Sequence, residues 1–193
     1  MKEPSLIEIW CEHLAKVLEF MAGETVATTW MLDAAANLPN SVDRWIELRF
    51  SEGAAWLCVP PLSWKGLGAL MLGAKEFTDD QTELAESTWL EVVAQVSAGV
   101  AAALSARIDR EIRPLRPAMG EAEASGASRY VVGVRVAGSD FPLVLAFGKD
   151  LHRVLDQAPT RTPAQARPRD EEFEKPSDID LLMDVELPIS VSF

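Results

Sequence analysis

Few residues in this 193-residue chain have a type and spacing that could do chemistry. Ser87, Glu91 and Gln95 recur every four residues, which sets a hydroxyl, a carboxylate and a carboxamide along one side of a helix. On residue type alone they read as a solvated helix face. Glu8 and Glu12 repeat the four-residue spacing near the N-terminus. Arg107, Arg110, Arg113 and Arg116 recur every three, a ladder that drifts slowly round a helix. It reads as a basic helix end beside the favourable dipole terminus. It also suits protein binding, as a strip for an acidic neighbour such as segment 170–174 of another subunit. Cys11 and Cys58 lack zinc-ligand spacing and read as buried small hydrophobes, while His13 and His152 are isolated. No Gly-rich phosphate loop is present. No metal and no cofactor are expected.

The elements that must position these residues are legible in part. Residues 5–21 carry Ile7, Trp10, Leu14, Leu18 and Met21 at helical spacing, with Gly23 as the stop. Residues 24–31, rich in Val, Thr and Trp, predict a strand, and 33–42 a loop. In 44–50, Ile46, Leu48 and Phe50 alternate with charge, a half-buried strand. Ser51-Glu52-Gly53 is a turn, residues 54–59 a central strand, and Pro60-Pro61 its end. The apolar run 66–72, bounded by glycines, reads as another strand.

Thr78 opens the clearest helix, with a Thr78-x-x-Gln81 capping box and Asp79 and Asp80 near its N-terminus. It is expected to run to about Ile112, where Pro114 stops it. Its middle, Ala94 to Ala103, is rich in small residues, so the sheet or a partner can pack closely. Residues 114–128 read as a loop. Residues 129–136 and 141–147 flank Ala137-Gly138-Ser139-Asp140 as a hairpin, and 151–156 form a short helix. This order predicts an α+β domain over 1–157, helices packed on a mostly antiparallel sheet. Trp10, Trp30, Trp45, Trp56, Trp64 and Trp89 read as core or sheet-face residues, with Trp64 and Trp89 as alternative partner anchors.

Beyond it, Pro159, Pro163, Pro168 and Pro176 punctuate a linker at 158–178, expected to be disordered. Then Val185, Leu187, Ile189, Val191 and Phe193 alternate as one orphan strand over 179–193. A lone strand cannot bury its face, so this segment is expected to open a further domain that is truncated here.

Charge and composition narrow the function classes. The chain carries 30 acidic and 18 basic residues, net −12, which argues against a nucleic-acid binder. Residues 1–106 hold net −9, 107–169 net +4 and 170–193 net −7: an acidic body, a basic strip and an acidic tail. Apolar content of 48% supports a real core. No secretory signal and no membrane insertion are expected.

The segment Asp180-Leu-Leu-Met-Asp-Val-Glu-Leu-Pro-Ile-Ser-Val-Ser-Phe193 resembles the opening of the SpoA-type domain of the FliN/FliM flagellar switch family. The order helix, strands, long helix, strands over the first 157 residues is similar to the CheC/CheX/FliY fold and the FliM middle domain. FliY-type proteins place such a domain ahead of a linker and a FliN-like domain. The resemblance implies a cytoplasmic motor switch (C-ring) component, peripheral at the flagellar basal body, that controls rotation through protein–protein contacts. Its implied partners are switch subunits of the FliM, FliG and FliN type and phospho-CheY, and it implies an oligomer once the C-terminal domain is complete. A type III secretion ring component shares the SpoA pattern and is a further alternative.

The same resemblance gives the α-helical residues a chemical meaning. CheC-type phosphatases carry Asp/Ser-x-x-x-Glu-x-x-Asn on a helix, where the acid docks CheY and the amide orients the attacking water. Here Ser87 and Glu91 match, and Ala94 stands where the amide is needed. Gln95, one turn past Glu91, gives an acid/amide pair similar to that of CheZ, which makes Ser87, Glu91 and Gln95 the candidate catalytic residues. Cys11 and Ala15 stand at the corresponding amide positions after Glu8 and Glu12. The implied balance leans away from an enzyme.

Overall fold

Alternating apolar residues build a single antiparallel sheet, and helices cover one of its faces. The computed structural model describes residues 5–32, 43–120 and 127–156. Its strands are β1 (Val26–Leu32), β2 (Arg44–Phe50), β3 (Gly53–Val59), β4 (Ala118–Gly120), β5 (Ser128–Val136) and β6 (Ser139–Phe147). They lie in the order β1-β5-β6-β3-β2-β4. Every pairing is antiparallel. The inward positions are Ile46, Leu48 and Phe50 on β2, Ala55, Leu57 and Val59 on β3, Val132, Val134 and Val136 on β5, and Leu143, Leu145 and Phe147 on β6, all buried. The two-residue side-chain period accounts for that assignment.

The helices are α1 (Leu6–Ala22), α2 (Pro61–Met71), α3 (Thr82–Ile108) and α4 (Lys149–Asp156). Ser5 and Glu8 form a reciprocal capping box at the start of α1, and Gly23 ends it at φ 67°. Thr78 and Gln81 form a second box on a single 3-10 turn, Asp79–Gln81, that leads into α3. α1 packs chiefly on α3 and β1. The small middle of α3 admits α1: a Cβ on Gly99 would stand 2.3 Å from His13 Nδ1. By length and composition Asp79–Ile108 could cross a membrane. Val92, Val93, Val96, Val100 and Leu104 are nevertheless buried in the core, as suits the central helix of a packed domain.

Several expectations are corrected. Residues 66–72 are not a strand; 66–71 lie in α2 and Leu72 caps it. Pro60-Pro61 does end β3, but Pro61 is also well placed in the first turn of a helix, where its missing N–H costs nothing. The glycines of that run serve packing: a Cβ on Gly66 would meet Phe141 Cε1 at 2.2 Å. The long helix stops at Ile108 rather than Ile112. Asp109 takes a left-handed φ of 55°, and the Ser105 hydroxyl accepts the Ile112 N–H at 2.7 Å, turning the chain back. Residues 114–128 are not wholly loop. Pro114 bridges Phe50 and β4 pairs with β2. Trp64 and Trp89 are not anchors for a partner. They are 3% and 0% exposed and stack on each other at 5.8 Å. The expected linker and terminal strand, 158–193, lie outside the described residues.

Candidate functional site

α3 is 27 residues long, and its core stripe from Ala85 to Leu104 fixes what the opposite face presents. Ser87, Glu91 and Gln95 are all exposed on that face. The Gln95 amide donates from Nε2 to Glu91 Oε1 at 2.9 Å, so the acid and amide are brought together. Ser87 is not drawn into that pair, because its hydroxyl donates to the Leu84 carbonyl at 2.8 Å. Ala94, which can supply no amide, is half-buried beside them. Chemically the face offers one carboxylate and the free carbonyl of one carboxamide.

On α1 the acids are committed elsewhere. Glu8 Oε2 accepts the Ser5 N–H at 2.6 Å and the Ser5 hydroxyl at 2.7 Å. Glu12 accepts from Lys16 Nζ at 2.6 Å. That hydrogen bond and the lysine charge hold the Glu12 carboxyl below its ordinary value. Burial, with the Lys16 charge, lowers the His13 pKa against the opposing pull of Glu12. Burial also pushes the Cys11 thiol up to about 12, with Glu8 adding to it, so this cysteine stays a neutral packing residue.

The arginine ladder does not lie along one helix, since only Arg107 falls within α3. Arg110 reaches Glu52 at 3.0 Å and Arg113 reaches Glu111 at 2.8 Å. The Arg113 N–H also donates to Ser51 Oγ at 3.2 Å, and its carbonyl accepts the Ser51 N–H at 3.0 Å. The segment is thereby an extended strap beside β2, with Arg116 exposed at its end.

Two concave features had no signal in the sequence. A cleft of about 520 Å³ beside the start of α4 is lined by Arg49, Trp56, Leu115, Gly148, Lys149 and Arg153, among others. A smaller recess of about 230 Å³ lies between β2, α2 and the start of α3. Both join segments far apart in the chain, so no local spacing could reveal them. Among the described residues no group of three or more His, Cys, Asp or Glu is placed to hold a metal ion.

A helix pair over an antiparallel sheet in this strand order defines a CheC/FliM-middle-like α+β fold. Solved structures of that class superpose on the chain. FliY of Thermotoga maritima aligns with a TM-score of 0.63 at 13% identity, over 79% of this chain and 92% of that one. The middle domain of H. pylori FliM aligns at 0.53 and 14%, over 79% and 93%. The CheX chain solved with CheY, BeF3 and Mg from Borrelia burgdorferi aligns at 0.52 and 16%, over 76% and 100%. At these identities the likeness is one of fold. No protein-family model and no curated protein sequence matches the chain.

Proposed function

We propose that this chain is a protein-binding component of the chemotaxis and flagellar switch machinery. It is FliY- or FliM-like in its folded domain and works without chemistry of its own. The carrying observation is the exposed face of α3, where a CheC-type helix has kept Ser87 and Glu91 but has Ala94 at the amide position. Such a face can dock a response regulator and has lost the group that would orient water. The segment 180–193 supports the finer reading, a FliN-like ring-forming part at the basal body. Switch subunits of the FliM, FliG or FliN type and phospho-CheY are its partners in this reading.

A second reading is favoured by one contact, the 2.9 Å bond between Gln95 and Glu91. It holds an amide beside an acid on an exposed face, as a CheY-P phosphatase requires. The rate of phospho-CheY decay with and without the protein separates the two. An unchanged rate together with binding of phospho-CheY fits the non-enzymatic reading. Acceleration that Gln95→Ala abolishes would replace it with the phosphatase.

A further inference from the structure

Away from the Ser87–Gln95 face, the start of β2 meets α2 and the turn before α3 at the recess of about 230 Å³, lined chiefly by Arg44, Trp64, Lys65, Phe77, Asp79 and Thr82. Thr82 and Glu91 are nine residues apart on one helix, which at roughly 100° per residue sets them on opposite sides. The recess is therefore a separate surface.

Its cations are differently held. The Arg44 guanidinium lies 5.1 Å over the Trp64 ring, and Trp64 is stacked on Trp89. The fork is thus oriented before anything binds. Glu86 approaches one corner of it, at 3.5 Å from Nη1, and both side chains are 39% exposed. Lys65 is exposed, and no ion pair engages it among the described residues. Phe77 forms an apolar wall seated against Gly68, where an added Cβ would stand 3.3 Å from its ring. Trp64, at 3% exposure, has no free face, so the guest meets Arg44, Lys65 and the Phe77 ring.

We propose that this recess receives an acidic side chain of a partner protein. The carboxylate is taken by the free edge of the Arg44 fork and by Lys65, and its methylenes lie against Phe77. Planar bidentate capture is what a pre-oriented guanidinium does best. The volume admits one side chain. Asp79 in the lining opposes a second negative charge, which selects a carboxylate over a phosphate dianion. The surrounding body is acidic, net −9 over 1–106. An acidic partner is therefore accepted only where this cation pair meets its carboxylate, so the recess fixes register more than it adds affinity.

The test is NMR titration of the full chain with acetyl-Gly-Glu-Gly amide and with its Gln counterpart, following the Trp64 indole and Lys65 backbone signals. The Glu peptide is expected to give saturable shifts at both, and the Gln peptide to bind about tenfold more weakly. Lys65→Gln, at an exposed site, is expected to fold normally and to weaken the Glu peptide severalfold, as is Arg44→Gln. Equal response to both peptides, no shift at millimolar Glu peptide, or affinity unchanged in both variants would overturn the proposal.

Discussion

At the scale of single residues, close approach explains more than charge does. Gly66 sits where α2 crosses β6, and a Cβ there would overlap the Phe141 ring at 2.2 Å. Phe141 is 8% exposed, so its ring has little room to swing away. Two effects compete in Gly66→Ala. Helix propensity gains about 1 kcal/mol, and overpacking costs about 1–3 kcal/mol. The buried ring decides for overpacking, and the variant should unfold at lower urea. A midpoint equal to or above the parent's would show that α2 has slack there. Gly99→Ala should cost less, because the His13 ring it meets is only half-buried and can move. Gly99 falls in the small stretch that reads as a close-packing surface, whereas Gly66 was not readable as a packing residue: the glycines of 66–72 made that run look like a bounded strand. Trp64 and Trp89 read as core residues and are buried, but their stacking on each other was hidden, since a tryptophan's type does not say which neighbour its face meets.

At the scale of elements, turns and caps were the legible signals. The Thr78/Gln81 box depends on residues three apart and forms on the turn that leads into α3; the structure adds a Ser5/Glu8 box of the same spacing at the start of α1. The β5–β6 hairpin was visible from its alternation, but its loop is shorter than the four residues expected. Val136 pairs with Ser139, leaving Ala137 and Gly138 at φ 49° and 78°, as a type I′ turn demands. Alanine pays a steric penalty in that conformation that asparagine largely escapes. Ala137→Asn is therefore expected to stabilise the domain by about 0.5–1 kcal/mol, read as a raised denaturation midpoint. A lowered midpoint would mean the turn is held by something other than its own backbone. The end of α3 was misread for the opposite reason. The stop comes from the Ser105 hydroxyl receiving a backbone N–H seven residues on, a contact no helix-propensity pattern carries.

At the scale of the whole molecule, the α1–α3 crossing ties stability to pH through His13. Its pKa is lowered mainly by burial, with help from Lys16 and opposition from Glu12. The folded state thus favours the neutral ring. The unfolded chain takes up the proton first as pH falls through the ordinary imidazole range, near 6.5. Stability from this residue is fully present above that range and is lost as pH falls below it toward the lower folded value. The expected observation is a denaturation midpoint that drops between pH 7.5 and 5.5 in the parent and drops less in His13→Gln. Identical pH slopes would remove His13 from the account.

The sequence by itself determined the α+β class, most strand positions, the Thr78/Gln81 capping box and the one-turn spacing of Glu91 and Gln95 on α3. Each of those rests on spacings of two to four residues, which backbone geometry converts directly into faces. Only the tertiary structure decided that 66–71 is helix, that the arginines leave α3, that the two tryptophans stack inside, and that Arg44 and Lys65 share a recess. Those outcomes depend on which distant segments come within packing distance, and a period along the chain holds no record of that.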